Sequence, residues 1–348
     1  LELHDKENFE IYAFSYGPDV VDSYRHRVKN SVDAFIDISK MSDQAAANII
    51  AENKIDIAID FNGMMFGYRP GILSRRPAPI QINYLAYPGT MGAECLDYIV
   101  ADEAVIPKSA RQYYSEKIMY LPDCYMPQDN TRVVSDKPSL RKDFGLPDVG
   151  FVFCCFNNSF KITPKEFDIW MRLLTKVEGS VLWLLKANRW CHENLSIEAK
   201  IRGINPDRLI FAERLPLDQH LARHQHADLF LDTFNFNAHT TASDALWAGL
   251  PLITKPGRDF CARVAASLVN SLGLPELVTA SEEEYESLAL TLATNKDKLD
   301  KIKQKLFYNR HKTPLFDTET YTKNLEKAYV KAYQRHEDGL APAEFKIT

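Results

Sequence analysis

The segment from Asp232 to Thr254, DTFNFNAHTTASDALWAGLPLIT, has residue types that bind phosphate groups. A strand pattern ends at Asp232, a loop rich in Asn follows, and His239-Thr240-Thr241 stands where a helix pattern begins. The first amide N–H groups of a helix lack partners within the helix, and the helix dipole makes this end positive. We therefore predict an anion site here, with a threonine as N-cap and Asp244 in the first turn. A helix start capped for structural reasons alone would give the same pattern.

A second segment, FNNSFKITP from Phe156 to Pro164, places a lysine after another predicted strand. Lys161 would lie at the carboxyl end of that strand, and Pro164 would open the next helix. An ammonium group at this position can stabilise the charge on a leaving phosphate. A solvated loop lysine is the alternative that the pattern leaves open.

The segment 215–226, LPLDQHLARHQH, places a histidine and an arginine on one predicted helical face. His220 and Arg223 are three positions apart, so an imidazole could stack on a base and a guanidinium could pair with a phosphate or a base edge. His220 and His224 also have metal-ligand spacing, but no H-E-x-x-H pattern accompanies them. We predict that no metal is used, and that the helix end, Lys161 and Arg223 hold a phosphate-bearing ligand.

A loop in the first half of the chain, LAYPGT at 85–90, also follows a predicted strand. It could line a ligand site, although the Pro88-Gly89 pair is also ordinary turn chemistry. The patterns of other nucleotide-binding and hydrolase classes are absent from the sequence: there is no G-x-G-x-x-G after a strand, no G-x-x-x-x-G-K-[ST] and no G-x-S-x-G. An NAD- or ATP-using enzyme with a glycine fingerprint is therefore disfavoured.

These loops belong to a regular alternation of strand and helix patterns. Such alternation predicts parallel sheets with right-handed crossovers and ligands at the carboxyl ends of the strands. A stretch without periodicity at 122–149 separates two predicted doubly wound domains, residues 1–135 and 150–348. Strands are predicted at Phe9–Tyr16, Ala34–Ile38, Ile55–Phe61, Ile80–Leu85, Tyr98–Ala101, Ile118–Leu121, Phe151–Phe156, Val181–Lys186, Leu209–Phe211, Leu229–Leu231 and Leu252–Thr254, and helices at 21–29, 43–53, 164–176, 192–203, 217–226, 240–248, 259–271, 282–294, 296–308 and 318–335.

The composition is that of a soluble globular protein, with 45% apolar and 26% charged residues in a chain of 348. Lys plus Arg is 42 and Asp plus Glu is 47, a net charge of −5, which disfavours nucleic acid as a partner. The sequence contains no apolar run long enough to span a membrane and no signal peptide, so we predict no membrane association. Six cysteines without C-x-x-C spacing favour a cytoplasmic location.

Four segments resemble, in order and in spacing, the catalytic region of the protein O-linked N-acetylglucosamine transferases and their bacterial SPINDLY-family relatives: RPAPIQINYLAYPGT (76–90), FNNSFKITP (156–164), LPLDQHLAR (215–223) and HTTASDALWAGLPLIT (239–254). The resemblance extends from about Phe9 to about Tyr333. It implies an α/β GT-B fold of two Rossmann-like lobes. It also implies inverting, metal-independent transfer of N-acetylglucosamine from UDP-N-acetylglucosamine to Ser or Thr of proteins, without a cofactor.

The same resemblance implies which residues act. The first lobe, 1–135, would carry the acceptor side, and the second, 150–348, would bind the nucleotide sugar, with the last helix packing back toward the first lobe. Lys161 would stabilise the leaving diphosphate. Asn158 would contact the nucleotide, and Leu215 and His220 would hold the uracil with Arg223 beside it. The diphosphate would be bound by His239, Thr240 and Thr241, and the ribose by Asp244. The sugar and acceptor side would be lined by Leu85, Ala86, Pro88, Gly89 and Thr90.

Two departures from the family pattern keep alternatives open. Leu217 stands where the animal enzymes carry a lysine near the ribose. The His-Pro motif, the first strand of the first lobe and tetratricopeptide repeats are expected upstream of Leu1, so we expect the first lobe to be N-terminally truncated. A relative that uses GDP-fucose or UDP-glucose, or an inactive nucleotide-sugar-binding module, is the alternative. His239 and Asp244 favour N-acetylglucosamine, because the fucose-using plant relatives lack them.

Overall fold

The computed structural model describes residues 1–20 and 22–348, which form two compact units. The first unit comprises Leu1–Pro127 and Thr318–Thr348, and the second comprises Gln128–Asp317. Most of the predicted connection at 122–149 therefore lies in the second unit. The last helix falls within the predicted second domain, 150–348, but in the structure it belongs to the first unit.

The elements follow the predicted alternation closely. The strands are β1 (Tyr12–Ser15), β2 (Ala34–Asp37), β3 (Ile57–Asp60), β4 (Ile80–Asn83), β5 (Tyr98–Ala101), β6 (Lys117–Tyr120), β7 (Val152–Cys155), β8 (Val181–Leu185), β9 (Leu209–Ala212), β10 (Leu229–Leu231), β11 (Leu252–Ile253) and β12 (Phe345–Lys346). The helices are α1 (Ser23–Ser31), α2 (Asp43–Glu52), α3 (Pro70–Leu73), α4 (Pro164–Lys176), α5 (Arg189–Ile201), α6 (Leu217–Arg223), α7 (Thr240–Trp247), α8 (Val264–Ser271), α9 (Glu282–Thr294), α10 (Lys296–Asn309) and α11 (Thr318–Glu337).

Some predicted boundaries differ from the structure. The predicted helix at 217–226 is α6 followed by a 3-10 turn at His224–His226, and that at 259–271 is a 3-10 turn followed by α8. The start of the predicted 21–29 helix, at Val21, lies outside the described residues. Neither α3 nor β12 was predicted, because elements of four and two residues are too short to show a hydrophobic period.

The first unit contains two parallel sheets. Strands β1 and β2 form one of them, and the other has the order β12-β6-β5-β4-β3. The strands β4 and β5 are buried along their whole length, as expected for a parallel sheet covered on both faces. In the first unit, the loop 85–90 follows the carboxyl end of β4.

The second unit has one parallel sheet, and its strand order locates a ligand-binding crevice. The order is β11-β10-β7-β8-β9, so the chain runs from β7 to β9 in one direction and then returns to the other side of β7. Ligands in such sheets bind at the carboxyl ends of the two strands where the order reverses. These strands are β7 and β10, which are followed by the segments containing Lys161 and His239.

Helix α4 fixes the loop that follows β7. Pro164 occupies its first turn, as predicted, and Thr163 and Glu166 form a capping box in which Glu166 accepts the Thr163 N–H at 2.8 Å. The loop is therefore held between a buried strand and a well-defined helix start. Across the described ranges, no helix is both long and apolar enough to cross a membrane.

Candidate functional site

A buried carboxylate, Asp232, organises the loop between β10 and α7. Its Oδ1 accepts the backbone N–H groups of Thr233 at 2.8 Å and Ala238 at 2.6 Å, and its Oδ2 accepts the hydroxyl of Thr254 at 2.7 Å. Burial raises the pKa of Asp232 to about 7, although these hydrogen bonds and the Lys161 charge oppose the shift. Because one side chain bridges both ends of the loop, the segment before α7 has a fixed shape.

The prediction that a threonine caps the start of α7 is wrong. His239 occupies the N-cap position with φ −106° and ψ −92°, outside the extended region that a Ser or Thr cap adopts. Thr240 is exposed, and the Thr241 hydroxyl donates to Asn157 Oδ1 at 2.6 Å. Asp244 is the fifth residue of the helix, so its predicted place in the first turn is also wrong. The helix therefore begins with an exposed threonine, Thr240, directly after the N-cap residue His239.

His239 is a neutral side chain held at this helix start. Its Nε2 donates to the carbonyl of Cys261 at 2.9 Å, so the Nδ1 atom carries the lone pair. Burial lowers the pKa of His239 to about 4, and the nearby Lys161 charge adds to this shift. Its ring stacks on that of Phe236, with the centroids 4.8 Å apart.

Lys161 comes from the other strand of the reversal and meets the same loop. Its ammonium donates to the carbonyl of Asn237 at 2.8 Å and lies 4.1 Å from the centroid of the Phe236 ring. The side chain is half-buried, and burial lowers the pKa of Lys161 while the carboxyl of Asp232 opposes the shift. Lys161 is therefore not a solvated loop lysine: the structure brings it to the segment that leads into α7.

Asn157 joins the two loops and was not singled out from the sequence. It is buried, and its Nδ2 donates to the Thr233 hydroxyl at 2.8 Å while its Oδ1 accepts from Thr241. The signal for it was its place inside the FNNSFKITP segment. Its neighbour Asn158, the predicted nucleotide contact, is exposed at the same strand end.

A second cluster surrounds His220 and includes the buried side chain of Arg223. Arg223 is 1% exposed, and its guanidinium donates to the Glu213 carbonyl and to His220 Nδ1, both at 2.6 Å. The guanidinium also lies 4.3 Å from the centroid of the Phe156 ring. The side chain of Arg223 is closed off from solvent in this structure, so the predicted phosphate contact of Arg223 stays a prediction. Arg223 positions the His220 ring beside the bend that contains Leu215.

The His220 ring is fixed and neutral. Burial, with the charge of Arg223, lowers the pKa of His220 to about 4. Because Arg223 donates to Nδ1, the proton is on Nε2, which lies 3.8 Å from Asp244 Oδ2. Two leucines a few residues before His220 in sequence are half-exposed: Leu215, and Leu217, the first residue of α6. The cluster therefore offers a flat neutral surface on which a base can stack.

Asp244 has a partner that the sequence did not reveal. Arg132 Nη1 lies 2.5 Å from Asp244 Oδ1, and Arg132 Nη2 donates to the Ser243 hydroxyl at 3.0 Å. Burial raises the pKa of Asp244, and the Arg132 charge opposes this shift. Arg132 lies 112 residues earlier in the aperiodic stretch, so local patterning gave no signal for it. In the described structure Asp244 is thus held by Arg132 with one oxygen toward His220.

The loop 85–90, in the first unit, is held by two polar residues that the sequence analysis missed. The Thr90 hydroxyl donates to Glu116 at 2.5 Å, and Glu116 also accepts the Met91 N–H at 2.7 Å. The Gly89 carbonyl accepts from Asn83 Nδ2 at 2.9 Å. Glu116 is fully buried. Leu85 and Pro88 are half-exposed and Ala86 is exposed, so the loop presents a surface with a fixed backbone.

The metal-like spacing of His220 and His224 has a structural explanation. His224 is buried, and its Nδ1 donates to the His220 carbonyl at 2.8 Å, so it turns toward the backbone. Within residues 1–20 and 22–348, no group of three or more His, Cys, Asp and Glu side chains is placed to hold a metal ion.

Three histidines whose pKa values are lowered by burial predict an acid-sensitive fold. Burial lowers the pKa of His220 and His239 to about 4 and that of His224 to about 3. As the pH falls below about 6.5, the unfolded chain binds protons that the folded chain does not, so the free energy of unfolding decreases by about 1.4 kcal/mol per pH unit for each histidine. Asp232, with its raised pKa, has the opposite slope. Urea unfolding between pH 4 and 6.5 measures the sum.

His224→Asn isolates one histidine, because the asparagine amide can keep the bond to the His220 carbonyl. We expect the slope to drop by about 1.4 kcal/mol per pH unit. His336→Asn, at an exposed position near the end of α11, is the matched control and should keep the wild-type slope. An unchanged slope in His224→Asn would contradict the neutral state assigned to this residue.

With the geometry described, the two parallel α/β units and the crevice of the second sheet place the chain in the GT-B class of folds. A model of glycosyl transferase family 41 matches residues 1–137 and 133–325. A solved mutant of the O-GlcNAc transferase from Thermobaculum terrenum superposes with a TM-score of 0.89 at 28% identity, covering 96% of this chain and 63% of that one. The predicted fold class is therefore confirmed.

Sequence comparison agrees with the structural one. The probable UDP-N-acetylglucosamine–peptide N-acetylglucosaminyltransferase SEC of Arabidopsis thaliana is 39% identical over 99% of this chain and 36% of its own length. The corresponding SPINDLY protein of Oryza sativa subsp. japonica is 32% identical over 99% of this chain and 37% of its own length. The chain belongs to glycosyl transferase family 41, which confirms the resemblance seen in its motifs. It spans little more than a third of the length of these plant relatives.

Proposed function

We propose that this chain forms the catalytic part of a glycosyltransferase that moves N-acetylglucosamine from UDP-N-acetylglucosamine to Ser or Thr hydroxyls of proteins. The observation that carries the proposal is the meeting of Lys161 with the loop that leads into α7, at the strand reversal of the second sheet. The plant relatives are named for transfer of N-acetylglucosamine from its UDP derivative to peptides.

The reaction is a single displacement at the anomeric carbon. The acceptor hydroxyl oxygen forms the new C–O bond and its proton is released to solvent, while the bond between the sugar and the diphosphate breaks and UDP leaves with the electron pair. Lys161 and the amides at Thr240 and Thr241 take up the charge that develops on the diphosphate. These cationic and dipolar groups belong to the chain itself, which supports transfer without a metal or other cofactor.

The surroundings of Asp232 support inversion of the anomeric centre. A retaining double displacement needs a carboxylate nucleophile that can reach the sugar. Asp232 is fully buried and accepts hydrogen bonds through both of its oxygens, so it is not available for that role. In the mechanism that we propose, the acceptor hydroxyl itself is the nucleophile, and its direct attack inverts the anomeric centre.

The nucleoside half of the donor lies against the His220 cluster. The uracil stacks on the neutral His220 ring beside Leu215, Asn158 contacts the nucleotide, and the ribose hydroxyls approach Asp244. The ring of Phe156 packs against that of His220, with the two centroids 5.5 Å apart.

Calorimetric titration of the protein with UDP, GDP, UDP-N-acetylglucosamine, UDP-glucose and GDP-fucose tests the donor. We expect both UDP and UDP-N-acetylglucosamine to bind. GDP and GDP-fucose should bind at least about tenfold more weakly, because the guanine base does not match the His220 surface. A tenfold difference in Kd corresponds to about 1.4 kcal/mol of binding free energy. Tighter binding of GDP-fucose would overturn the proposed donor.

Transfer is measured with the full-length protein, UDP-N-acetylglucosamine labelled in the sugar, and Ser/Thr-containing polypeptide acceptors. EDTA is expected to leave the rate unchanged, because Lys161 and the helix end supply the positive potential. A large loss of rate in EDTA that Mg²⁺ or Mn²⁺ restores would contradict the metal-free mechanism. UDP binding without hydrolysis or transfer would identify an inactive nucleotide-sugar-binding module instead.

We further propose a reducing compartment, the cytoplasm, as the place of action. All six cysteines are free thiols, and Cys154 and Cys155 are buried side by side in β7. Free cysteines are typical of proteins in reducing compartments. Fractionation of cells that express the full-length protein tests this location.

A further inference from the structure

Phe236 contacts both of the residues that meet at the start of α7. The centroid of its ring is 4.1 Å from Lys161 Nζ and 4.8 Å from the His239 ring centroid, with an angle of 26° between the two ring planes. The residue is half-buried in the loop between β10 and α7. No role for Phe236 followed from the sequence motifs.

The backbone that carries this ring is fixed on both sides. The Thr233 hydroxyl donates to the Phe236 carbonyl at 2.6 Å, and the Asn237 N–H donates to the Cys261 carbonyl at 2.9 Å. Asn237 Nδ2 also donates to the Thr233 carbonyl at 2.7 Å. Since these bonds hold the loop, the Phe236 ring is a rigid surface.

The contacts of Lys161 show what that surface does. An ammonium group has three N–H donors and no acceptor. The Asn237 carbonyl takes one donor at 2.8 Å, and the face of the Phe236 ring attracts the cation electrostatically. Two adjacent residues thus fix the ammonium from two directions, and a donor remains for a ligand.

Resting on the proposed function, we propose that Phe236 is a positioning residue that holds the Lys161 ammonium, and with it the His239 ring, in place for the leaving diphosphate. An aromatic face favours the charged ammonium, whereas burial favours the neutral amine. The ring therefore also keeps Lys161 protonated. The other titratable groups that act on Lys161 are Asp232, Cys155, Cys261 and His239, and all of them remain when Phe236 is replaced.

The experiment is competitive acetylation of the full chain with trace acetic anhydride over a range of pH, with the extent of labelling at Lys161 read by mass spectrometry. Phe236→Leu is expected to lower the apparent pKa of Lys161 by about 0.5 to 1 pH unit, and Phe236→Tyr should restore the wild-type value because it keeps the aromatic face. The matched control is Phe160→Leu, which removes an exposed ring next to Lys161 in sequence and should cause no shift. An unchanged pKa in Phe236→Leu, or an equal shift in Phe160→Leu, would overturn the proposal.

Turnover gives a second readout. In Phe236→Leu we expect kcat to fall about five- to tenfold, while the Kd of UDP-N-acetylglucosamine changes less than about twofold. The alkaline limb of the pH profile of kcat should move to lower pH by the shift measured in the labelling. Phe236→Tyr should keep the wild-type kcat. A loss in both variants with no movement of the alkaline limb would mean a structural role only and would overturn the proposal. The labelling needs no turnover. If the wild-type protein neither hydrolyses nor transfers the donor, the proposed function fails while the labelling still decides the role of Phe236.

Discussion

Replacing Lys161 with alanine is expected to lower kcat for transfer about 10²- to 10³-fold, with a much smaller change in the Kd of UDP-N-acetylglucosamine. The charge that the ammonium stabilises grows as the bond between the sugar and the diphosphate breaks, so its effect is greatest in the transition state. The ammonium is already in place, bonded to the Asn237 carbonyl, and needs no rearrangement to act. Steady-state kinetics of the full-length protein and calorimetry measure the two quantities.

The second residue of α4, Lys165, provides the control. Lys165 is largely exposed and its ammonium lies 3.8 Å from Glu282, away from the contacts of Lys161. Lys165→Ala should therefore keep kcat within about twofold of wild type. A Lys161→Ala variant that turns over at the wild-type rate would remove Lys161 from the mechanism.

Asp232→Ala is expected to have the second large effect, a decrease of about 3 to 6 kcal/mol in the free energy of unfolding together with loss of measurable UDP binding. The variant leaves the N–H groups of Thr233 and Ala238 and the hydroxyl of Thr254 without their buried acceptor. Each such group costs about 1 to 3 kcal/mol. The loop would then no longer hold His239 at the start of α7.

Urea unfolding at pH 7 and calorimetry with UDP measure these effects. Asp232→Asn keeps an acceptor oxygen for the two N–H groups, and its amide N–H can donate to the Thr254 hydroxyl oxygen in place of the bond that Thr254 now donates, so it should retain most of the stability and the binding. Asp148→Ala, at an exposed position, should change neither. If Asp232→Ala stayed within about 1 kcal/mol of wild type and still bound UDP, the loop would not depend on this carboxylate.

The order of the elements was predictable because the hydrophobic periods in this chain are strong. Helix α4, opened by Pro164 and closed at Lys176, and strand β10 have the predicted bounds. The two segments that meet in the crevice were also recognisable, since each follows an apolar strand. Their meeting, however, depends on the strand order, which no local pattern contains.

The differences from the sequence-based predictions have a common physical origin in burial and in long-range contacts. The spacing of Arg223 from His220 indicated a shared helical face, but not that the guanidinium is closed off from solvent and turned toward a carbonyl. A threonine is a favourable N-cap, yet the loop closed by Asp232 places His239 there instead. Arg132 contacts Asp244, which is 112 residues away in sequence, and Glu116 contacts Thr90 and Met91, more than twenty residues earlier. No local sequence pattern indicates such contacts, so they could be found only from the structure.

The proposed chemistry requires the diphosphate of the donor to bind at the start of α7 within reach of Lys161. A co-crystal structure with UDP tests it most directly. We expect diphosphate oxygens about 3 Å from Lys161 Nζ and from the backbone nitrogens of Thr240 and Thr241, with the uracil stacked on His220. A diphosphate bound elsewhere in the second unit, with the Lys161 ammonium in contact only with Phe236 and Asn237, would contradict it.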